Sequence, residues 1–160
     1  MTIGKTEKIH PSNGMVIRYK GIIDVDSLYK NAKSWFGNNS YDYFEKENTE
    51  KSKPQGNTVI IKMYGTRDVD DYVQFKVEIV FDEILRLKKA ERGYMGEARI
   101  VIKAEMTFDY KNKWKSFPFL FYLYNNYILK KKIKNYYWPK VYDEMMDLNS
   151  LIKSKLGLIE

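Results

Sequence analysis

The sequence predicts an α+β domain in which a curved antiparallel sheet wraps around a long C-terminal helix. Two segments, 73–87 and 98–108, alternate apolar and polar residues as half-buried strands do, and they are close enough in the chain to form a hairpin. After residue 116 the apolar residues recur at spacings of three and four, which is the helical pattern. Because strands this long usually curl or close, we expect the sheet to bend around the helix.

The first strand and the first helix are predicted near the start of the chain. Residues 15–23 are rich in β-branched and aromatic types and predict a strand. Asp24 or Asp26 offers an N-cap for the helix that follows, and Gly37 marks its end. The apolar residues of that helix lie on one face, which predicts that it packs against a sheet: Val25, Leu28, Tyr29, Ala32, Trp35 and Phe36.

The middle of the chain predicts further antiparallel strands. A second strand begins at 41–44, the polar stretch 47–55 with Pro54 predicts a loop, and 58–66 predicts a third strand. The hairpin follows, with a loop at 90–96. Its first arm is apolar at odd positions, namely Val73, Phe75, Val77, Ile79, Phe81, Leu85 and Leu87, and its second at even positions, namely Ala98, Ile100, Ile102, Ala104, Met106 and Phe108.

The C-terminal segment predicts a long helix that begins near Ser116, with Pro118 in its first turn. One apolar stripe comprises Leu120, Phe121, Tyr124, Tyr127 and Ile128, and a second comprises Trp138, Val141, Met145, Leu148 and Ile152. Proline inside a helix removes a backbone hydrogen bond and crowds the preceding turn, so we expect a kink or break at Pro139.

Composition excludes several chemistries. The 160 residues predict a flexible tail at 1–13 and one domain at 14–160. With no cysteine and a single histidine, His10, which lies in a polar stretch, we predict no catalytic residue, no metal site and no cofactor. The chain also has no apolar run that resembles a signal peptide or a bilayer span, so we expect a cytoplasmic protein.

The positive charge belongs to one segment. The formal net charge is +7, and residues 111–140 carry eight lysines and no acid, which leaves −1 for the rest of the chain. Lys130, Lys131, Lys132 and Lys134 stand just before Tyr136, Tyr137 and Trp138. This pattern fits phosphate contacts with base stacking, or an anionic membrane with aromatic rings at headgroup level. The alternative is a solvated helix face whose aromatic neighbours belong to the core.

The aromatic content is high, with 14 tyrosines, eight phenylalanines and three tryptophans. Tyrosines on an inward stripe bring hydroxyls that need partners or water, which suits a pocket with aromatic walls and a few polar groups. Plain core packing is the alternative.

The order of elements resembles the START or Bet v 1-like superfamily, also called SRPBCC or polyketide cyclase-like, over about residues 14–156. The segments that carry the likeness are Leu28–Phe36, Tyr41–Tyr43, Asp71–Phe75 and the closing Pro118-Phe119-Leu120. The chain departs from it in having one short helix after the first strand and no glycine-rich loop. The resemblance implies a helix-grip fold whose cavity, between sheet and last helix, carries a lipid or another hydrophobic small molecule, mostly without catalysis; an enzyme is a third alternative, since some relatives are cyclases or hydrolases.

Two functional hypotheses follow. The first is a non-enzymatic binding protein whose hydrophobic ligand is lined by Phe75, Val77, Ile79, Ile102, Ala104 and Met106 from the hairpin and by Tyr124, Tyr127 and Ile128 from the helix. The second is an interaction protein that docks on RNA, a ribonucleoprotein or an anionic membrane through Lys130, Lys131, Lys132 and Lys134. The sequence leaves the oligomeric state open.

Overall fold

The computed structural model describes residues 5–9, 11–54, 56–89, 91 and 93–158, with the side chains of 87–89 left out. It confirms the α+β class: six antiparallel strands form one sheet, a short helix follows the early strands, and a long helical segment ends the chain. The elements before that segment are β1 Thr6–Lys8, β2 Met15–Ile23, α1 Val25–Asn38, β3 Asp42–Lys53, β4 Gly56–Asp68, β5 Val73–Lys89 and β6 Tyr94–Phe108.

The last helical segment, residues 118–155, is called the C-terminal helix below. It consists of α2 Pro118–Leu123, a first π-helical turn Tyr124–Ile128, α3 Lys130–Lys132, a second π-helical turn Ile133–Tyr137 and α4 Trp138–Lys155. Pro118 occupies the first turn as predicted, although the cap position is Phe117 and not Ser116. The helical backbone continues through Pro139, which lies in the first turn of α4 directly after the second π turn.

Strand β6 is the centre of the sheet. It pairs with β5 along one side and with both β1 and β2 along the other, where Met15 faces Ile102 and Thr6 faces Thr107. Beyond β5 come β4 and then β3, which forms the edge. Register shifts interrupt the β3–β4, β4–β5 and β5–β6 pairs, and such bulges bend a strand and increase its twist.

The predicted alternation of the hairpin is confirmed up to Phe81. The odd residues from Val73 to Phe81 and the even residues from Ala98 to Phe108 are buried on one face of the sheet. A bulge between Phe81 and Glu83 then moves the buried position to Ile84, so Leu85 does not continue the inward row. The side chain of Leu87 lies outside the described part.

Two stretches predicted as irregular belong to the sheet. Residues 47–53, predicted as a loop, continue β3 as an edge strand whose polar side chains can face solvent on both sides. Residues 6–8, predicted as tail, pair with β6, and Ile9 after them is buried in the core. His10 and residues 1–4 lie outside the described residues.

The core lies between the inner face of the sheet, α1 and α4. Val141, Met145, Leu148 and Ile152 of α4 are buried as predicted, with Trp138 packed at the edge of the same cluster. Phe36 of α1 rests against Gly65 of β4, where a β-carbon would stand 2.5 Å from its ring. The glycine therefore allows the close approach of α1 to the sheet.

Polar bonds hold α4 in place from its outer side. The Glu144 carboxylate forms an ion pair with Arg67 of β4 at 2.5 Å and accepts a hydrogen bond from the Tyr41 hydroxyl at 2.8 Å. One turn further along, Asp147 accepts a hydrogen bond from the Trp35 indole at 2.8 Å. These bonds connect α4 to α1, to β4 and to the residue before β3.

Candidate functional site

The six sheet residues predicted to line a ligand cavity are all deep in the core. Phe75, Val77, Ile79, Ile102 and Met106 have no accessible surface, and Ala104 exposes 4%. A cavity large enough for a ligand would leave its lining side chains accessible to a water-sized sphere. The space next to these residues is therefore filled by neighbouring side chains.

The three helix residues predicted to complete that lining do not stay together. Tyr124 packs against the core, with its ring edge-to-face on Tyr72 at 5.1 Å between centroids. Tyr127 and Ile128, in contrast, are 71% and 67% exposed. The inward direction expected for these two residues is wrong in the structure, because the first π turn changes which residues face the sheet.

The buried stripe of the C-terminal helix explains this change. Its members recur at every fourth residue over five successive intervals: Asn125, Leu129, Ile133, Tyr137, Val141 and Met145. A regular α-helix has 3.6 residues per turn, so a four-residue spacing would drift around it. The two π turns are wider, since their hydrogen bonds span five residues, and they keep the stripe on one side.

Large apolar side chains face outward near the start of the C-terminal helix. Phe119 is 70% exposed and Leu120 is 51% exposed, and Tyr127 and Ile128 are exposed about two turns further along the same helical segment. We call these four residues the apolar crest. With Tyr122, which is 40% exposed, five large apolar side chains are exposed within ten residues of one helix, and this exceeds the scattered exposure usual for a protein surface.

The four predicted surface lysines directly follow the crest. Lys130, Lys131, Lys132 and Lys134 are all exposed, so the prediction that they face solvent is consistent with the helix geometry. The Lys132 ammonium lies 5.1 Å from the ring centroid of the buried Tyr137. Lys130, Lys131 and Lys134 form no salt bridge with an acid among the described residues.

The aromatic residues beyond the lysines have different surroundings. Tyr137 is buried, and Trp138 stacks on Tyr142 with 5.1 Å between ring centroids. Tyr136 is 48% exposed and is flanked by the ammonium groups of Lys132 and Lys140, at 5.9 and 5.6 Å from its centroid. Of these three aromatic residues, Tyr136 is the one with an accessible ring face.

The turn between β4 and β5 contains Asp70, which contacts the second π turn of the C-terminal helix. Asp70 accepts hydrogen bonds from the backbone amides of Tyr72 and Val73, both at 2.8 Å, and from the Tyr137 hydroxyl. Burial raises the pKa of Asp70, but these hydrogen bonds and the charge of Lys132 outweigh burial and hold the pKa below its ordinary value. The carboxylate therefore remains ionised and fixes the second π turn to the sheet.

The loop between β6 and α2 presents further lysines. The buried carboxylate of Asp109 accepts hydrogen bonds at 2.9 Å from the backbone amides of Lys113 and Trp114, which orders the loop. The ammonium groups of Lys113 and Lys115 face solvent, while Lys111 is paired with Asp71 at 2.8 Å. Lysines thus stand before the apolar crest as well as after it.

The titratable groups with shifted pKa values do not resemble catalytic ones. Burial raises the pKa values of Tyr41, Tyr43, Tyr72 and Tyr137, and the neighbouring Glu144 adds to the effect at Tyr41. Proton transfer near neutrality needs pKa values near 7. The pKa values of these tyrosines are raised further above 7, and the pKa of Asp70 is lowered further below 7. Each group is therefore poorly suited to proton transfer at neutral pH.

Among the open concavities on the surface of the described residues, a small one of about 110 Å³ is bordered by Ala104. Two larger ones do not touch the predicted lining. One of about 520 Å³ lies on the outer face of β2 and β6, where Arg18, Lys20 and Arg99 are mixed with Glu83 and Glu97. The other, of about 530 Å³, runs between α1 and α4 and is lined mainly by asparagine and serine side chains. Their mixed or neutral character does not define a ligand.

Comparison with known proteins gives no match: no family model, no curated protein and no solved structure is similar to the chain. Within the part of the chain that the structure describes, no helix is long and apolar enough to cross a bilayer.

Proposed function

We propose that this domain is a non-enzymatic interaction protein that docks on a phosphate-bearing anionic surface through Lys130, Lys131, Lys132 and Lys134. The observation that carries the proposal is the exposure of all four lysine residues in a thirty-residue segment without an acid. The acid fixed beneath them, Asp70, is already engaged by Tyr137 and two backbone amides.

Lysine clusters of this kind attract arrays of phosphate groups. Each lysine near an anionic surface contributes about 1 kcal/mol, and the attraction falls off over a Debye length of roughly 8–10 Å. All eight cations of residues 111–140 are lysines, which act as point charges and lack the planar fork with which arginine recognises single phosphates. We therefore expect binding that depends on the charge density of the partner and on ionic strength.

Lipid headgroups and the RNA backbone both present such phosphate arrays. RNA binding would also use exposed aromatic rings for base stacking. Of Tyr136, Tyr137 and Trp138, which follow the lysines, only Tyr136 is as much as 48% exposed. Contact between the lysine ammonium groups and phosphates is common to lipid and RNA, so both are used as probes.

The test reverses the charge of Lys130, Lys131, Lys132 and Lys134 by substitution with glutamate. Retention on vesicles rich in phosphatidylserine and on a homopolymer RNA is measured at low salt. We expect the apparent affinity for the true partner to fall roughly a hundredfold or more, because four attractive contacts become repulsive. Raising the salt should weaken the original protein in the same direction.

The matched control places glutamate at four exposed lysines elsewhere: Lys30, Lys33, Lys51 and Lys155. Either set removes eight units from the formal charge of +7 and leaves −1, so net charge is equal in the two variants. Docking through Lys130, Lys131, Lys132 and Lys134 requires that the control keep most of its affinity. Equal losses in both variants, or no binding by the original protein, would refute the proposal.

The two finer expectations from the family resemblance remain proposals. Distant kinship with the START or Bet v 1-like superfamily is supported by the order of elements and by a long C-terminal helix that packs on an antiparallel sheet. Carriage of a hydrophobic molecule inside the domain stays a prediction. The close packing of its expected lining does not favour it.

A further inference from the structure

We propose that the anionic surface is a lipid bilayer, into which the apolar crest inserts while the flanking lysines bind the headgroup phosphates. This inference rests on the proposed function and names the partner of the same site. It is carried by two features together, the outward apolar crest and the charge on both sides of it.

Lysines flank the apolar crest on both sides along the chain, as they do in many helices that lie at a membrane interface. Lys113 and Lys115 precede Phe119, and Lys130, Lys131 and Lys134 follow Ile128. Interfacial helices bury an apolar face about 5–10 Å into the headgroup and acyl boundary and keep lysines at the polar level. The apolar crest thus suits the acyl layer of one membrane leaflet, and the lysines at its two ends suit the headgroup layer.

The crest residues themselves favour lipid over RNA. Leu120 and Ile128 are aliphatic, so they cannot stack on bases, whereas both side chains pack well among acyl chains. Tyr127 carries a hydroxyl on an apolar ring, which is the amphipathic type enriched at membrane interfaces. A nucleic acid would leave the aliphatic part of the crest without a partner.

A second copy of the chain is a poor occupant of the crest. Any symmetric contact through this face would bring together two segments that each carry eight lysines and no acid. An anionic lipid surface, in contrast, complements both the charge and the apolar area.

The first π turn directs two residues of the crest, Tyr127 and Ile128, outward. Asn125 lies in that turn, is fully buried and accepts a hydrogen bond from the hydroxyl of Tyr72, the residue before β5. Tyr72 also packs against Tyr124. These contacts fix the inner side of the turn to the sheet. Tyr127 and Ile128, on its other side, therefore face solvent already in the unbound protein.

The absence of cysteine allows a direct test by single-site labelling. Ile128→Cys and, as a matched control on the exposed edge strand, Asn48→Cys are each labelled with an environment-sensitive NBD dye. On vesicles containing phosphatidylserine we expect the dye at 128 to brighten several-fold and to be quenched by spin labels on the acyl chains. The dye at 48 should keep its aqueous emission and escape quenching.

The outcomes separate this inference from the proposed function. If the labelled protein binds the vesicles through its lysines but the dye at 128 stays in water, insertion is refuted and electrostatic docking stands. If homopolymer RNA is retained in a lysine-dependent manner and vesicles are not, the partner is a nucleic acid and the bilayer inference is refuted. If neither is retained, the proposed function itself falls.

Discussion

The two halves of the C-terminal helix use similar residues for opposite purposes. In α4 (138–155) the large apolar side chains point to the sheet, as Met145 does, and the acids Glu144 and Asp147 bond to groups on other elements. Between residues 118 and 137 much of the apolar surface points to solvent, as Ile128 does, and the charges are lysines without acids beside them in the sequence.

This difference teaches that the two halves are stabilised for different reasons. Burial of apolar area stabilises α4 within the domain at about 25 cal/mol for each Å². The same kind of area at the crest gains nothing while it stays in water, and it would contribute once a partner removes that water. A single helix can therefore anchor the fold with one half and present a binding surface with the other.

A large loss of stability is expected on substitution of Glu144, which bonds α4 to the rest of the domain. Glu144→Ala removes the partner of Arg67 and of the Tyr41 hydroxyl, and it leaves a largely buried guanidinium without its counter-charge. Loss of one member of a buried pair costs about 3–5 kcal/mol, and since both side chains keep some exposure we expect about 2–3 kcal/mol. Urea unfolding measures the change.

Asp143→Ala is the matched control, because Asp143 is the acid just before Glu144 and is exposed. Its effect should stay within about 0.5 kcal/mol. A loss at Glu144 no greater than at Asp143 would show that the ion pair does not anchor α4.

A smaller effect is expected at Asp70, which fixes the second π turn. Its pKa is lower in the folded protein than its ordinary value of 3.8, so the unfolded chain binds more protons between the two values. The stabilisation is thus complete above the ordinary pKa and disappears as the pH falls through the folded pKa. Asp70→Asn should cost about 1 kcal/mol near neutrality and progressively less below about pH 4.

Unfolding of both proteins across that pH range checks the prediction. Asp143→Asn serves as the control, since this carboxyl is exposed on α4. A constant difference between Asp70→Asn and the original protein down to acid pH would contradict the assigned role of the ionised carboxylate.

Period-two and helical spacing were enough to predict most of the fold. They predicted β2, α1, the long hairpin of β5 and β6, and the inward residues of α4. They missed β1 and the outer part of β3, because polar residues at a sheet edge resemble a loop. They also missed the bulge after Phe81, since the sequence does not mark where an extra residue enters a strand.

The candidate surface was only half predictable. The exposure of the four lysines followed from their charge, but the outward direction of Tyr127 and Ile128 did not, because regular helical spacing assumes 3.6 residues per turn. The signal that was present is the recurrence of buried residues at every fourth position from Asn125 to Met145. The first residue of that row, Asn125, is polar, so a search for periodically spaced apolar residues does not include it.

The most direct test of the two roles of the C-terminal helix compares Met145→Ala with Ile128→Ala in one pair of assays, urea unfolding and retention on phosphatidylserine vesicles. We predict that Met145→Ala, at a fully buried site, loses about 2–5 kcal/mol of stability and keeps its vesicle affinity, corrected for the folded fraction. Ile128→Ala should change stability by less than about 0.5 kcal/mol and weaken vesicle binding roughly five- to tenfold. A large loss of stability in Ile128→Ala, or unchanged vesicle binding by it, would contradict the account.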